Sequence, residues 1–274
     1  MLISPAQRRL WISAITLATG ISFCLWALPL PAGSLIGVAI STLGLESLLA
    51  LVAISIAMRS PKPVGARLGL GPSRLSLRGT SVAILGTLAL SHALDGVLSF
   101  TGLHESSILA HLNDLLSRAG PISIIVAMVG MGIAPAIGEE VLCRGLLQRG
   151  LAPRLGGVAA VTGSALIFGA LHLEWIQGSA AFVLGLYLGT LAHVANSIRP
   201  AILCHAVNNV VAIGVSWMGA ETDPSPQVTI PIALFISAIA MVIVLRSTEI
   251  RRRVAHCSAI HEPERPEDSP NFGP

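Results

Sequence analysis

Long runs of apolar residues alternate with short polar segments along the chain. Eight runs can be drawn, over residues 10–29, 33–58, 80–102, 121–147, 156–173, 176–197, 200–219 and 227–246. A helix needs about 20 apolar residues to cross a hydrocarbon core of roughly 30 Å, and most of the runs approach that length. The pattern therefore predicts an all-α fold, a polytopic membrane protein built as a bundle of about eight transmembrane helices.

The first run has a second interpretation, because it follows Arg8 and Arg9 as the core of a secretory signal peptide would. The run is closer to spanning length than to the length of a signal core, and no A-x-A cleavage pattern follows it. We interpret it as the first membrane helix and keep the signal peptide as the alternative.

Basic residues concentrate in every second loop. They fill the linker after the second run and follow the fourth, sixth and eighth runs, whereas the other loops carry mainly acids, with Arg118 as the exception. Cytoplasmic loops of membrane proteins are enriched in Lys and Arg. The pattern thus predicts a multi-pass protein of the cell membrane with both termini in the cytoplasm.

The same pass along the chain predicts four regions. Residues 1–120 hold about three helices and a basic cytoplasmic linker, residues 121–219 form the core, and residues 220–246 contain the last helix. Residues 247–274 are rich in proline and charge and have little to bury, which is typical of a disordered cytoplasmic tail.

Composition narrows the classes of function. Hydrophobic residues make up 53% of the 274 residues, charged residues only 11%, and the mean hydropathy is +0.77. The net charge of +3 comes without a basic patch containing aromatic residues, so no nucleic-acid partner is expected. The four cysteines form no C-x-x-C pair, which argues against a disulfide framework or a cysteine zinc site.

Small residues recur at every fourth position in two of the runs. They are Gly130, Ala134 and Gly138 in the fourth run, and Ala181, Gly185 and Gly189 in the sixth. Such stripes allow the backbones of membrane helices to approach closely. We therefore expect tight helix packing in the middle of the chain.

The segment AIGEEVLCRGLLQ, residues 136–148, places two adjacent glutamates inside an apolar run. Ionisable residues inside membrane helices are costly and indicate function. Glu140 and Arg144 are four residues apart, so they share a helix face and can neutralise one another. Glu139 points elsewhere, because successive residues of a helix are rotated by about 100°.

Two further polar groups follow on later runs. Ser164, Phe168 and His172 are spaced four apart on the fifth run, and His205 and Asn209 lie one turn apart on the seventh, with Asn208 rotated off that line. A carboxylate, two imidazoles and an amide can converge on one buried water, as peptide hydrolysis requires. The two imidazoles could instead bind zinc.

The three motifs, Glu-Glu-x-x-x-Arg, Phe-x-x-x-His and His-x-x-x-Asn, occur in this order on successive runs. Together they resemble the CAAX protease and bacteriocin-processing family (CPBP, or Abi), which includes the type II CAAX prenyl endopeptidases. The resemblance covers about residues 121–215 and implies an intramembrane endopeptidase that cleaves a membrane-anchored protein or peptide. It implies the following catalytic set: Glu139, Glu140, Arg144, His172, His205 and Asn209.

In that set, the resemblance implies that Glu139 activates water and that Glu140 and Arg144 support it. Whether such an enzyme is a metalloprotease or a glutamate-type protease stays open. A divalent metal such as zinc would be bound by His172 and His205, but the lack of a Cys or a third His favours the metal-free version. The basic loops predict that water reaches Glu139 from the cytoplasmic side.

Two other classes of function remain. The buried carboxylate and imidazoles could serve as the relay of an ion- or proton-coupled transporter, although no internal repeat typical of many transporters is found. The chain could also be a non-catalytic membrane scaffold or an immunity protein.

The predicted helix ends do not place Glu139 and His172 at the same depth. At about 1.5 Å per residue, His172 lies roughly 24 Å from its preceding loop, but Glu139 lies only about 16 Å from residue 150.

Overall fold

The computed structural model describes residues 33–219 and 225–260, and these residues form helices and connecting loops without a strand. The helices are α1 Leu35–Ala57, α2 Val64–Leu68, α3 Leu77–Phe100, α4 Ile108–Ser117, α5 Pro121–Leu155, α6 Gly157–Ala170, α7 Trp175–Ala195, α8 Arg199–Trp217 and α9 Pro226–Ile260. A short 3₁₀ turn, His104–Ser106, precedes α4. The predicted all-α fold is confirmed.

Six of these helices are long and apolar enough to cross a membrane: α1, α3, α5, α7, α8 and the first 26 residues of α9. The chain is therefore a multi-pass membrane protein, as predicted. The predicted run 10–29 lies outside the described residues. The predicted fifth span, 156–173, contains a helix of only 14 residues, so the described residues do not yield the eight spanning helices that the apolar pattern suggested.

The last helix is longer than predicted, because α9 continues from the apolar run as far as Ile260. Residues 246–251 contain Arg246, Glu249 and Arg251, and both residue types have high helix propensity in water. A helix can thus extend past the apolar run without burying anything. Residues 261–274, the rest of the predicted disordered tail, lie outside the described residues.

Helix α5 is also longer than its apolar run, and two segments of it are wound as π-helix, Met128–Ile133 and Val141–Gln148. The first precedes Pro135, which lacks an N–H and cannot complete an α-helical ladder. Wider turns are a common way to accommodate such a residue.

The greater length of α5 also changes the depth of Glu139. Measured from Leu155, Glu139 lies 16 residues down α5, about 24 Å. His172 lies at a similar distance from Gly157, which removes the length inconsistency.

The small residues bring α5 against α1. A Cβ atom at Gly130 would collide with the backbone carbonyl of Ala39, and one at Gly138 would lie 2.5 Å from the carbonyl oxygen of Glu46. Helix α8 packs on another side of α5, and α3 packs against α7, α8 and α9. The tight packing predicted from the stripe is confirmed.

The linker between α1 and α3 covers the end of the bundle that carries the basic loops. Arg67 donates to the carbonyls of Gly145 and Leu146, at 3.4 and 3.3 Å, within the second π-segment. The N–H of Ile198 donates to the Gly69 carbonyl at 2.9 Å. Leu68 is fully buried below these contacts. We call this end of the molecule the basic end.

Helices α6 and α7 form a hairpin whose closest approach is between two glycines. A Cβ atom at Gly178 would lie 2.8 Å from the Gly169 carbonyl oxygen, whereas one at Gly214 in α8 would meet nothing within 4 Å. We expect Gly178→Ala to lower the free energy of unfolding by about 1–3 kcal/mol, because the backbones must separate. Gly214→Ala is the matched control and should be neutral or gain up to about 1 kcal/mol. Thermal unfolding in detergent measures both, and equal stability of the two variants would contradict the packing.

Candidate active site

An ion pair lies at the centre of the bundle. The Arg144 guanidinium donates through Nη1 to Glu140 Oε1 at 2.8 Å, and both side chains are completely buried. The pairing predicted from their spacing is present. A buried charge without a partner costs several kcal/mol, so the two residues depend on each other.

Helix α7 and the Phe168 ring hold the other side of Arg144. Its Nη2 donates to the Gly185 carbonyl at 3.1 Å, and its Cζ lies 4.3 Å from the centroid of Phe168. Gly185 belongs to the second small-residue stripe, and a Cβ atom there would lie 3.1 Å from the Phe168 ring. The absence of a side chain at Gly185 therefore allows α7, Phe168 and Arg144 to pack together.

His205 lies between the two adjacent glutamates. Its Nδ1 is 3.1 Å from Glu140 Oε1, and its Nε2 is 3.6 Å from Glu139 Oε2. An ionised carboxylate only accepts hydrogen bonds, so Nδ1 carries the proton that it donates to Glu140. This contact orients the ring, as a second hydrogen bond commonly does for a functional histidine. The Nε2 atom is thereby directed toward Glu139.

Glu139 differs from Glu140 in its surroundings. About 10% of its side chain is accessible, compared with none of Glu140. No cation of the described residues other than His205 lies within ion-pair distance of Glu139. The sequence hypothesis that one carboxylate is neutralised and the other presented agrees with this geometry.

Glu46 is a component of the cluster that the sequence reasoning missed. It comes from α1 and is only 5% exposed. Its Oε2 lies 2.6 Å from where a Cβ of Gly138 would stand. Its signal in the sequence is a single glutamate in the middle of the apolar run 33–58, where an ionisable residue indicates function.

His172 lies in the turn after α6 and is partly exposed. Its Nδ1 donates to the Phe168 carbonyl at 3.0 Å, because a carbonyl oxygen can only accept. Edge-on ring contacts join Phe168 to both histidines, with centroid distances of 5.3 Å to His172 and 5.7 Å to His205. Ser164 anchors α6 to α5 by donating to the Cys143 carbonyl at 2.8 Å. The second motif therefore joins the same cluster.

The third motif differs in detail from the prediction. His205 was expected to face Asn209, but its two ring nitrogens are directed at the glutamates. Asn208 is the more buried amide, and its Nδ2 donates to Asn209 Oδ1 at 3.4 Å. The helix rotation that separates positions 205 and 208 by about 60° is small enough for both amides to lie near the cluster.

The cluster is closed toward the basic end. Cys143 and Arg144 are completely buried, Gln148 is 3% exposed, and Arg67 with Leu68 covers the π-segment around them. The partly exposed members lie further from that end: His172 in the turn after α6, and Asn209 in α8. The side at which water was predicted to enter is therefore covered by buried side chains in this structure.

A metal ion at this site would need ligands from the side chains of the cluster. Zinc in a catalytic site takes three protein ligands. Within residues 33–219 and 225–260, no three His, Cys, Asp or Glu side chains are grouped as metal ligands. The candidate pair His172 and His205 would supply two, so the residues present do not fit a three-ligand site.

Comparison with curated proteins and with solved structures gave no match. A family model does match, over residues 121–211, and its description is Rce1-like, type II CAAX prenyl endopeptidase. The matched segment includes α5, α6, α7 and the part of α8 that carries His205 and Asn209. The match covers about a third of the chain and supports the resemblance inferred from the three motifs: residues 121–211 of this membrane protein are similar to the type II CAAX prenyl endopeptidases.

Proposed function

We propose that the protein is an intramembrane endopeptidase that hydrolyses a peptide bond of a membrane-associated protein or peptide. The observation that carries the proposal is the arrangement of Glu139, Glu140 and His205: one carboxylate is neutralised by Arg144, the other has no such partner and is about 10% exposed, and an oriented imidazole lies 3.6 Å from it. A structural ion pair would not require the second glutamate or the histidine.

In the proposed reaction, Glu139 acts as the general base. It removes a proton from a water molecule, whose oxygen attacks the carbonyl carbon of the scissile bond. The carbonyl π electrons move to its oxygen to form an oxyanion. When the tetrahedral intermediate collapses, the C–N bond breaks, and the protonated Glu139 returns its proton to the leaving nitrogen.

The remaining polar groups would stabilise the oxyanion. His205, held through Nδ1 by Glu140, can donate from a protonated Nε2 toward the same space that Glu139 faces. The amides of Asn208 and Asn209 provide further donors at the level of the following turn. Removing one such donor typically costs about 10²–10³-fold in rate. His172, with Nδ1 already bonded, has only Nε2 available to contact substrate or water.

We propose a glutamate-type rather than a metal-dependent mechanism, because the grouped donors do not form a three-ligand site. None of the steps above passes through a metal ion. The type II CAAX prenyl endopeptidase description suggests substrates anchored in the bilayer near their C-terminus. A farnesylated peptide with a C-terminal CAAX sequence is therefore the first probe to use, with unprenylated membrane peptides as the comparison.

Glu139→Gln should abolish cleavage, because an amide cannot accept the proton of water while filling the same space. The loss should exceed about 10²-fold, and abundance and melting temperature should remain near those of wild type. The measurement is release of a quenched fluorophore from the farnesylated CAAX peptide by purified protein in liposomes. Asp114→Asn, a change at an exposed acid of α4, is the control. Full activity in Glu139→Gln would contradict the proposed base.

The ion pair should behave differently from Glu139. Glu140→Gln and Arg144→Met each leave one buried charge without a partner, and each should lower the free energy of unfolding by about 3–5 kcal/mol along with activity. The double variant Glu140→Gln, Arg144→Met should be more stable than the sum of the two losses implies. Strictly additive losses in thermal unfolding would show that the pair is not energetically coupled.

We also propose that the basic end faces the cytoplasm of a cell-membrane protein, because Lys and Arg concentrate there. In a variant without native cysteines, Lys62→Cys and Arg154→Cys should react with a membrane-impermeant maleimide only after the membrane is opened. Glu105→Cys, in the 3₁₀ turn at the opposite end, should react in intact cells. All three positions are exposed. The reverse labelling pattern would invert the orientation.

A further inference from the structure

Glu46 is a buried carboxyl group that the proposed reaction does not use. It lies in the middle of α1, which crosses the bundle beside the central part of α5, and it is 5% exposed. Its Oε2 has no hydrogen-bond donor within the described residues. Since burial of a polar atom without a partner is unfavourable, this position requires an explanation.

The surrounding charges leave Glu46 without a cation. Arg144 is paired with Glu140, and His205 lies between Glu140 and Glu139. Within the described ranges, no other basic group lies within ion-pair distance of the Glu46 carboxyl. Three carboxyl groups thus share at most two positive charges, those of Arg144 and a protonated His205. An ionised Glu46 would be a third negative charge that nothing balances.

A glycine beside Glu139 makes room for the Glu46 carboxyl. Gly138 precedes Glu139, and its missing side chain leaves the space that the Glu46 carboxyl occupies, 2.6 Å from the position of a Cβ. Glu139, the next residue of α5, is buried in the same region, at 8% exposure compared with 5% for Glu46. When two carboxyl groups share a buried site, the favourable state is one protonated and one ionised, because two like charges repel and the acid can donate to its neighbour.

We propose that Glu46 is a positioning residue: it is a protonated carboxyl group whose O–H donates to the Glu139 carboxylate and holds it toward the reacting water. The role rests on the proposed function of Glu139 as base. This hydrogen bond provides the buried carboxyl group of Glu46 with a partner. It also leaves the second oxygen of Glu139 available to accept the proton of water.

The protonation state can be tested without any substrate. An infrared difference spectrum of wild type against Glu46→Gln, recorded at neutral pH on the purified full chain, should contain the carbonyl stretch of one protonated carboxylic acid. In Glu139→Gln the same band should persist but move to higher frequency, because an amide accepts a weaker hydrogen bond than a carboxylate. Glu105→Gln, at an exposed acid, should leave the band unchanged. Absence of the band from the Glu46→Gln difference would overturn the proposal.

The positioning role is tested by activity on the farnesylated CAAX peptide. Glu46→Gln keeps a hydrogen-bond donor of similar size and should retain kcat within about threefold. Glu46→Leu removes the donor and should lower kcat by about 100-fold with KM unchanged, the effect expected of a misplaced catalytic group. Ser47→Leu, a polar-to-apolar change at the next position of α1, is the matched control. Melting temperatures separate these effects from unfolding.

Two outcomes would overturn the positioning role. Wild-type kcat in a folded Glu46→Leu would show that Glu139 needs no support from α1. Equal inactivity of folded Glu46→Gln and Glu46→Leu would show that a donor of the same size is not sufficient. If wild type cleaves neither the farnesylated nor the unprenylated peptides, the proposed function fails, and the infrared result still decides the pairing of Glu46 with Glu139.

Discussion

The burial of Arg144 and Glu140 inside a membrane-spanning helix is the constraint on which the centre of the molecule depends. Neither charge is exposed, so the groups that contact the two side chains come from protein. Gly185 supplies a carbonyl, Phe168 supplies a ring face, and His205 donates to the same carboxylate that Arg144 contacts. Helices α5 and α8 and the α6–α7 hairpin are thereby fixed around one ion pair.

The small residues allow side chains to pack around this ion pair. Gly138 admits Glu46 from α1, Gly185 admits Arg144 from α5, and Gly189 accepts the side chain of Gln148, whose Nε2 donates to its carbonyl at 2.9 Å. In a membrane, close helix contact does not follow from hydrophobic burial, because lipid is as apolar as the helices. Polar contacts through glycine positions are thus a direct source of specificity in the packing.

Sequence reasoning could identify interactions within one helix more readily than interactions between helices. The pairing of Glu140 with Arg144 follows from a spacing of four residues, and the family motifs mark His172 and His205. Glu46 belongs to no motif, and its relation to Glu139 arises only from the way α1 crosses α5. The end of α6 was equally inaccessible: the helix stops at Ala170, although the apolar run continues to Leu173, which has a positive φ of 56°. Glu174 then caps the start of α7.

The unequal lengths of α6 and α7 have a consequence for the surrounding lipid. Helix α7 has 21 residues and α6 has 14, a difference of 7 residues or about 10 Å along the axis. The turn from Leu171 to Glu174 follows the short α6 as non-helical backbone, and Leu173 is almost completely exposed. Such backbone is not stable against hydrocarbon. We therefore expect the bilayer to thin beside this hairpin, so that headgroups and water come down to the level of His172.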